Sequence, residues 1–139
     1  AAKFEEFFMK TTIPIALDET LQRLGFNEIK SFFGVDVLVL KPLVLGGIEK
    51  TSVWMKQARQ FGLAVVISSS FETGIGITTL ANLASCAQVM HAAGLDTLKW
   101  FKEDTLCDTV KIERGKIAIE KSISTRTQLN TNVVHEILP

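Results

Sequence analysis

Three polar side chains with the capacity for chemistry each follow a short apolar run. Asp18 comes after the run 13–17, Lys41 after the run 35–40, and Ser68 after the run 63–67. Carboxylates bind cations, ammonium groups bind anions, and hydroxyls donate and accept hydrogen bonds. If the three runs are parallel strands, their carboxyl ends lie at one edge, which is where ligands bind in α/β proteins. The pattern therefore predicts a shared functional rim.

Each of these residues also has a purely structural interpretation. The run 35–40 suits a strand that is buried on both faces, and Pro42 prevents its ladder from continuing. Lys41 would then end the strand and reach solvent. Asp18 would cap the following helix, and Ser68 with its neighbours would form a turn. The sequence pattern by itself is compatible with both interpretations of these residues.

The elements that must position the rim alternate between strand and helix. Strands are predicted at 13–17, 35–40, 63–67 and 94–98, and helices at 4–10, 21–33, 48–61 and 73–93. Consecutive β-helix-β units form parallel sheets with right-handed crossovers, so a turn at Gly94 joins the same rim. The pattern changes after residue 98. A hairpin is predicted around Glu113-Arg114-Gly115, followed by a polar stretch at 122–132 and a helix or turn at 133–138.

Length and composition limit the class of protein. The chain has 139 residues, which suits one modest domain, and 47% hydrophobic with 22% charged residues excludes disorder. Fifteen basic residues balance fifteen acidic ones, so no nucleic acid or membrane partner is expected. No secretory signal is recognisable. Cys86 and Cys107 lack metal-ligand spacing, so we expect free thiols, one of them in a helix core, in an intracellular compartment.

The strand ends also resemble those of a known family. The matching pieces are Ile-Ala-Leu-Asp-Glu-Thr at 15–20, Val-Leu-Lys-Pro at 39–42 with Gly46, Val-Ile-Ser-Ser-Ser-Phe-Glu-Thr at 66–73 with Gly76, and Gly-Leu-Asp-Thr-Leu at 94–98. In order and spacing they are similar to the carboxyl-terminal half of the o-succinylbenzoate synthases, which are members of the enolase superfamily. The Leu-Lys-Trp-Phe continuation at 98–101 is similar to plant members that act in phylloquinone biosynthesis.

This resemblance implies a fold and a reaction. The fold class would be α/β, a partial (β/α) barrel in which residues 1–98 supply the last four strands. Residues 99–139, with the hairpin, would contribute to the capping domain. The family removes water from a succinyl-hydroxycyclohexadiene carboxylate and so forms o-succinylbenzoate for menaquinone or phylloquinone, with Mg²⁺ as cofactor. A bacterial member would be cytoplasmic, and a plant member would lie in the plastid.

The resemblance also implies roles for individual residues. Asp18 matches the last of three metal-binding carboxylates, and Lys41 matches a catalytic lysine on the face opposite the principal base. Ser68, Ser69 and the Gly94 backbone match the region that holds the substrate's succinyl carboxylate. The helix that opens at Gly74 would add N–H groups that stabilise an anion.

The rest of the family's site lies on earlier strands, which this sequence does not contain. Glu5-Glu6 resembles the Glu-Glu-Pro metal strand, but Phe7 stands in the place of proline, so we expect a helix surface there. The Mg²⁺ site is therefore incomplete, because the ion usually needs more than one acidic group. Four barrel strands leave open edges, so we expect the chain to bind a partner that carries the first four strands, or to self-associate.

Other functions remain open. An N-succinylamino acid racemase or a dipeptide epimerase of the same superfamily would use the same rim lysine, and a half barrel without catalysis is a further alternative. A nucleotide-binding domain is disfavoured, because Gly74-Ile75-Gly76 lacks the third glycine and the lysine of a phosphate loop.

Overall fold

A parallel three-stranded sheet forms the centre of the molecule. The computed structural model describes residue 6 and residues 9–29, 34–87, 91–119 and 128–135. Strands β1 (Ile15–Leu17), β2 (Val35–Leu40) and β3 (Ala64–Ile67) lie in the order β1-β2-β3. Both neighbouring pairs are parallel, with Leu17 opposite Leu38 and Leu40 opposite Ile67. The chain therefore has the predicted α/β organisation, and the carboxyl ends of all three strands face the same way.

The predicted fourth strand at 94–98 is wrong. Only Gly94 pairs with the sheet, through a single parallel bridge to Ser68, and a 3₁₀ helix follows at Leu98–Trp100. The Gly94 N–H donates to the Ile67 carbonyl and the Gly94 carbonyl accepts from the Ser69 N–H, both at 2.9 Å. The chain turns away at Asp96 and Thr97, so the ladder ends after one residue.

Two short helices lie between β1 and β2 in the chain. A 3₁₀ helix at Glu19–Gln22 and helix α1 (Phe26–Ile29) replace the single helix predicted over 21–33, of which residues 30–33 lie outside the described residues. Gly25 separates the two pieces, and its N–H donates to Glu28 Oε2 at 2.6 Å. The sequence pattern missed this break because it followed apolar spacing through the glycine.

Two further helices lie between β2 and β3 in the chain, and a third follows β3. Helix α2 (Pro42–Leu45) was not predicted, and its proline occupies the first turn, where a missing N–H costs nothing. Helix α3 (Ile48–Gln60) agrees with the prediction and ends before Gly62, which has φ +68°. Helix α4 (Gly74–Cys86) ends before the predicted residue 93, and residues 88–90 are outside the described part.

The core lies between the sheet and helices α3 and α4. Leu38, Leu40 and Ile67 of the strands are fully buried, as are Ala58 of α3 and Ile77 of α4. Complete burial of each large aliphatic side chain contributes roughly 1.5–3 kcal/mol. This core holds the strand ends, and therefore the rim residues, in fixed relative positions.

The hairpin expected after Thr109 is present but short. Strands β4 (Ile112–Glu113) and β5 (Lys116–Ile117) are antiparallel. Arg114 and Gly115 have φ of +50° and +73°, as a tight two-residue hairpin turn requires. In the other terminal segments, Glu6 is helical and exposed, and residues 131–133 form a turn. Most of 4–10 and 122–132 and half of 133–138 lie outside the described residues.

Both cysteines are free and exposed, so the expectation of a core thiol is wrong. Cys86 ends helix α4 on the side that faces solvent. Among the described residues, no helix has the length and apolar character needed to cross a membrane.

Candidate functional site at the carboxyl edge of the sheet

Asp18 and Lys41 are brought into direct contact. The Lys41 Nζ atom lies 2.8 Å from Asp18 Oδ1 and donates a hydrogen bond to Oδ2 at 3.0 Å. Asp18 follows β1 and Lys41 follows the neighbouring parallel strand β2, so both leave the sheet at its carboxyl edge. The topology predicted from the strand pattern therefore places this acid and this amine on one rim.

Glu19 completes a three-residue ionic cluster. Lys41 Nζ donates to Glu19 Oε1 at 2.9 Å, and the Lys41 side chain is 19% exposed. The hydrogen bonds to Asp18 and then Glu19 raise the pKa of Lys41 above its usual 10.5, against the effect of burial. The hydrogen bond from Lys41 lowers the pKa of Glu19 below 4.5. The raised pKa favours the ammonium form of Lys41, which can stabilise an anion.

The predicted serines lie beside the end of β2. The Ser68 N–H donates to the carbonyl of Leu40 at 2.9 Å. Leu40 is the last residue of β2 and directly precedes Lys41. Ser69 is only 6% exposed, and its hydroxyl lies 3.0 Å from the Gly94 carbonyl and 2.8 Å from Thr97 Oγ1. Ser68 is half-buried, and its hydroxyl donates to the same carbonyl at 3.3 Å. All three predicted residues, Ser68, Ser69 and Gly94, therefore form one hydrogen-bonded group.

The Gly94 carbonyl has more donors than it can satisfy well. It receives the Ser69 N–H at 2.9 Å, the Ser69 hydroxyl at 3.0 Å and the Ser68 hydroxyl at 3.3 Å. A carbonyl oxygen has two lone pairs, so the longest of the three bonds is the weakest. The Ser68 hydroxyl is consequently the one that a ligand can redirect at least cost, while Ser69 ties Gly94 and Thr97 to the sheet.

The loop that follows these serines contains an unusual backbone conformation. Phe71 has φ +65° and is 63% exposed, although a bulky residue rarely adopts the left-handed region. Glu72 accepts a short hydrogen bond from the Ser70 N–H. The other Glu72 oxygen and the Ser70 hydroxyl are buried without hydrogen-bond partners. Strained backbone and unsatisfied polar atoms cluster at functional sites, and the sequence pattern singled out neither feature.

Helix α4, which begins after this loop, takes its cap from a distant residue. Asp104 is 6% exposed, and its Oδ1 accepts the Gly74 N–H at 2.7 Å. The family resemblance predicted that N–H groups at this helix start would stabilise a substrate anion. In the structure, the Gly74 N–H instead donates to a carboxylate of the chain itself, that of Asp104. Asp104 was missed because it is 30 residues away and carries no local signal.

One rim residue, Asp18, carries the type of oxygen ligand that Mg²⁺ prefers. Asp18 Oδ1 is buried and makes no hydrogen bond, but it lies 2.8 Å from the Lys41 ammonium group, so a metal ion would share this carboxylate with Lys41. Within the described ranges, no group of three or more histidine, cysteine or acidic side chains is placed to hold a metal ion. Mg²⁺ usually requires more than one carboxylate with several waters, so Asp18 fits as one ligand among others.

Two cavities lie away from this rim. One, of about 520 Å³, is lined by Phe26 and Trp54, among others. The other, of about 1000 Å³, lies between the end of α3, the start of β3 and the end of α4. None of the residues that line these two cavities is Asp18, Lys41 or Ser68.

Comparison with known proteins identifies the family. Residues 2–123 match the enolase C-terminal domain-like family. The chain belongs to that family. The o-succinylbenzoate synthase of Aliivibrio fischeri strain ES114 is 42% identical over 96 residues, which are 69% of this chain and 29% of that protein. The o-succinylbenzoate synthase of Yersinia pestis is 39% identical over 97 residues, 70% of this chain and 30% of that protein. The chain thus spans about three tenths of the length of these curated relatives.

Solved structures agree on the fold. The L-Ala-D/L-Glu epimerase from Bacillus subtilis superposes with a TM-score of 0.74 at 22% identity, over 86% of this chain and 33% of that one. MenC from Desulfotalea psychrophila superposes with a TM-score of 0.73 at 24% identity, over 84% and 33%. At these identities the likeness concerns the fold alone.

Proposed function

We propose that the chain forms the carboxyl-terminal part of an o-succinylbenzoate synthase active site. The contact between Lys41 and Asp18 at the carboxyl edge of the sheet carries this proposal. It joins the amine and the carboxylate that the resemblance assigns to the rim. The similarity at 42% identity to a named o-succinylbenzoate synthase supports the substrate class.

Lys41 acts in this proposal as an electrostatic group. The reaction takes a proton from the carbon beside a carboxylate, and the substrate's hydroxyl group then leaves as water, with formation of the aromatic ring. Negative charge develops on the substrate between these events, and an ammonium ion at the rim lowers the energy of that state. The hydrogen bonds to Asp18 and Glu19 raise the pKa of Lys41 and so favour its ammonium form, and the family resemblance assigns the proton-removing base to an earlier strand.

The remaining rim residues bind and orient the substrate. The Ser68 hydroxyl donates to the succinyl carboxylate, and the Ser69–Gly94 group holds Ser68 in place, which fixes the reacting carbon relative to Lys41. Asp18 supplies one carboxylate ligand to Mg²⁺. A bound Mg²⁺ would supply positive charge beside the substrate carboxylate, with Asp18 as one of the residues that would hold it.

The proposal requires more of the barrel than the described residues provide. A complete barrel of this type has roughly 250 residues. Large apolar side chains stand exposed near the rim, with Leu43 66%, Phe71 63% and Trp100 72% accessible. We propose that these surfaces and the edge of β1 that pairs with no other described strand pack against the strands that precede this region in the relatives, carried by the same polypeptide or by a partner chain. Alone, the 139-residue chain is expected to be inactive and to self-associate.

Two other functions are compatible with the same fold, and the complementation experiment described below distinguishes them. An N-succinylamino acid racemase or dipeptide epimerase would share the barrel and the rim lysine, and the epimerase likeness concerns fold only. A half barrel without catalysis would share the fold and lack turnover.

Complementation tests the proposal directly. The chain is mixed with a polypeptide comprising the amino-terminal two thirds of the Aliivibrio fischeri relative, and o-succinylbenzoate formation is followed with Mg²⁺ present. We expect dehydration activity that falls at least about 100-fold in Lys41→Ala, while the exposed-lysine control Lys56→Ala keeps its rate. Racemisation of N-succinylamino acids without dehydration would support the alternative enzyme. A stable complex without turnover would support the non-catalytic half barrel.

A further inference from the structure

A buried carboxylate connects the segment after residue 97 to the candidate site. Asp104 Oδ1 accepts two N–H groups, those of Gly74 and Thr105, both at 2.7 Å. Its other oxygen, Oδ2, is buried without a hydrogen-bond partner. Burial to this extent is unusual for an aspartate, because removing a carboxylate from water costs free energy that its interactions in the folded protein must offset.

Helix α4 depends on this contact for its amino-terminal cap. Thr73 stands at the N-cap position but makes no side-chain capping hydrogen bond, and the first turn contains no acidic residue. A carboxylate at a helix amino terminus interacts favourably with the exposed N–H groups and with the helix dipole. Asp104 therefore provides from a distance what the local sequence of α4 lacks.

The Asp104 contact requires glycine at position 74. A Cβ atom built on Gly74 would overlap Asp104 Oδ2 and would lie 3.0 Å from the side chain of Leu106. The segment around Asp104 is itself anchored, since Asn130 Nδ2 donates to the Asp104 carbonyl at 3.2 Å and Asn130 N–H to the Thr105 carbonyl at 2.9 Å. The cap is thus delivered by a fixed piece of backbone.

We propose that Asp104 is a positioning residue that holds the loop 68–73 in its binding conformation. One end of this loop is fixed by the Ser68 N–H bond to the Leu40 carbonyl at the end of β2. The other end is the start of α4, which Asp104 fixes through Gly74. Between these two points lies the strained Phe71, which keeps its positive φ only while both ends are held. Asp104 acts through this loop on Ser68, and this last step rests on the proposed function of Ser68.

Amide hydrogen exchange and NMR chemical shifts of the full chain test the positioning role. Asp104→Ala removes the acceptor, Asp104→Asn retains an oxygen acceptor, and Glu103→Ala removes the exposed neighbouring carboxylate as a matched control. In Asp104→Ala we expect the Gly74 amide to exchange at least about tenfold faster relative to the other α4 amides. The Ser68 and Ser69 amide shifts should move as well. Asp104→Asn should preserve most of the protection, and Glu103→Ala should leave both observables unchanged.

Binding of o-succinylbenzoate gives the second readout. In the complemented assembly described above, we expect its dissociation constant to rise about tenfold in Asp104→Ala and to recover largely in Asp104→Asn. If the unsubstituted assembly does not bind o-succinylbenzoate, the proposed function fails, and the amide data still decide the positioning role. Unchanged Gly74 exchange in Asp104→Ala overturns the proposal, and so does faster exchange with unmoved Ser68 and Ser69 shifts. If Asp104→Ala does not fold, Asp104→Glu, which displaces the carboxylate by one methylene, is held to the same criteria as Asp104→Ala.

Discussion

The Lys41 ammonium group lies 2.8 Å from Asp18 Oδ1 and joins the carboxyl ends of two adjacent parallel strands. Asp18 and Lys41 are 23 residues apart, and only the pairing of β1 with β2 brings them together. The ion pair is partly shielded from water, with 19% of the lysine and 37% of the aspartate side chain exposed.

The first prediction concerns the strength of this ion pair. A double-mutant cycle with Asp18→Asn and Lys41→Met should give a coupling free energy of about 1 kcal/mol in urea unfolding, since a partly shielded pair exceeds a fully exposed one. The pair Glu6–Lys10, with 68% and 71% exposed side chains, is the control and should give less than about 0.5 kcal/mol. Equal coupling for both pairs would contradict the prediction.

The second prediction is a pH dependence that belongs to Lys41. Because folding raises the pKa of Lys41, its contribution to stability is fully present below pH 10.5 and is lost as the pH rises through the raised value. The stability difference between the protein and Lys41→Met should therefore be constant near neutral pH and shrink above pH 10.5. Urea unfolding across that range measures it, and a difference that grows at high pH would have the wrong sign.

Glu19 should show the opposite behaviour. Its lowered pKa means that its contribution is present above pH 4.5 and disappears as the pH falls through the lowered value. Side-chain NMR titration of Glu19 in the protein and in Lys41→Met measures this. The carboxyl should titrate at higher pH in the variant, because its hydrogen-bond donor is gone.

The third prediction separates the two serines. Ser69→Ala should destabilise the fold by about 1–2 kcal/mol, because it removes a buried hydroxyl that bonds Gly94 and Thr97. Ser68→Ala should change stability by less than about 0.5 kcal/mol, since its bond at 3.3 Å is the weakest to that carbonyl. Thermal unfolding of both variants decides the matter, and a larger loss in Ser68→Ala would reverse the assignment.

The fourth prediction tests the close approach of Gly94 to Ser68. A Cβ at position 94 would lie 2.8 Å from Ser68 Oγ and 3.4 Å from Ser68 Cβ. Gly94→Ala should therefore cost about 1–2 kcal/mol through overpacking. In the double variant that also carries Ser68→Ala, the overlapping oxygen is absent, so most of the lost stability should return. Strict additivity of the two changes in unfolding free energy would show that the conflict lies elsewhere.

The fifth prediction uses the strained backbone at Phe71. In a left-handed conformation an alanine is penalised and a glycine is not, by about 1 kcal/mol. Phe71→Gly should therefore be more stable than Phe71→Ala by about that amount, the reverse of the usual order for exposed residues. Chemical denaturation of the two variants measures the difference, and an alanine variant of equal or greater stability would refute the positive φ.

Local sequence patterns predicted the three parallel strands and the rim at their carboxyl ends. Short β-branched runs ending at Asp18, Lys41 and Ser68 are local signals of buried strands, and parallel topology then places their ends together. Helix α3 and the hairpin turn at Arg114-Gly115 were predictable for the same reason, since apolar spacing and turn chemistry act within a few residues.

Contacts between segments that are far apart in sequence were not predictable and depend on how the chain packs. The predicted fourth strand is reduced to one bridge at Gly94, because the chain turns at Asp96 and Thr97 and then enters a 3₁₀ helix. Asp104 caps a helix 30 residues earlier, and nothing in its local sequence marks that role. Propensity and periodicity describe neighbours in sequence, whereas a buried carboxylate is placed by the packing of distant segments, which no local pattern records.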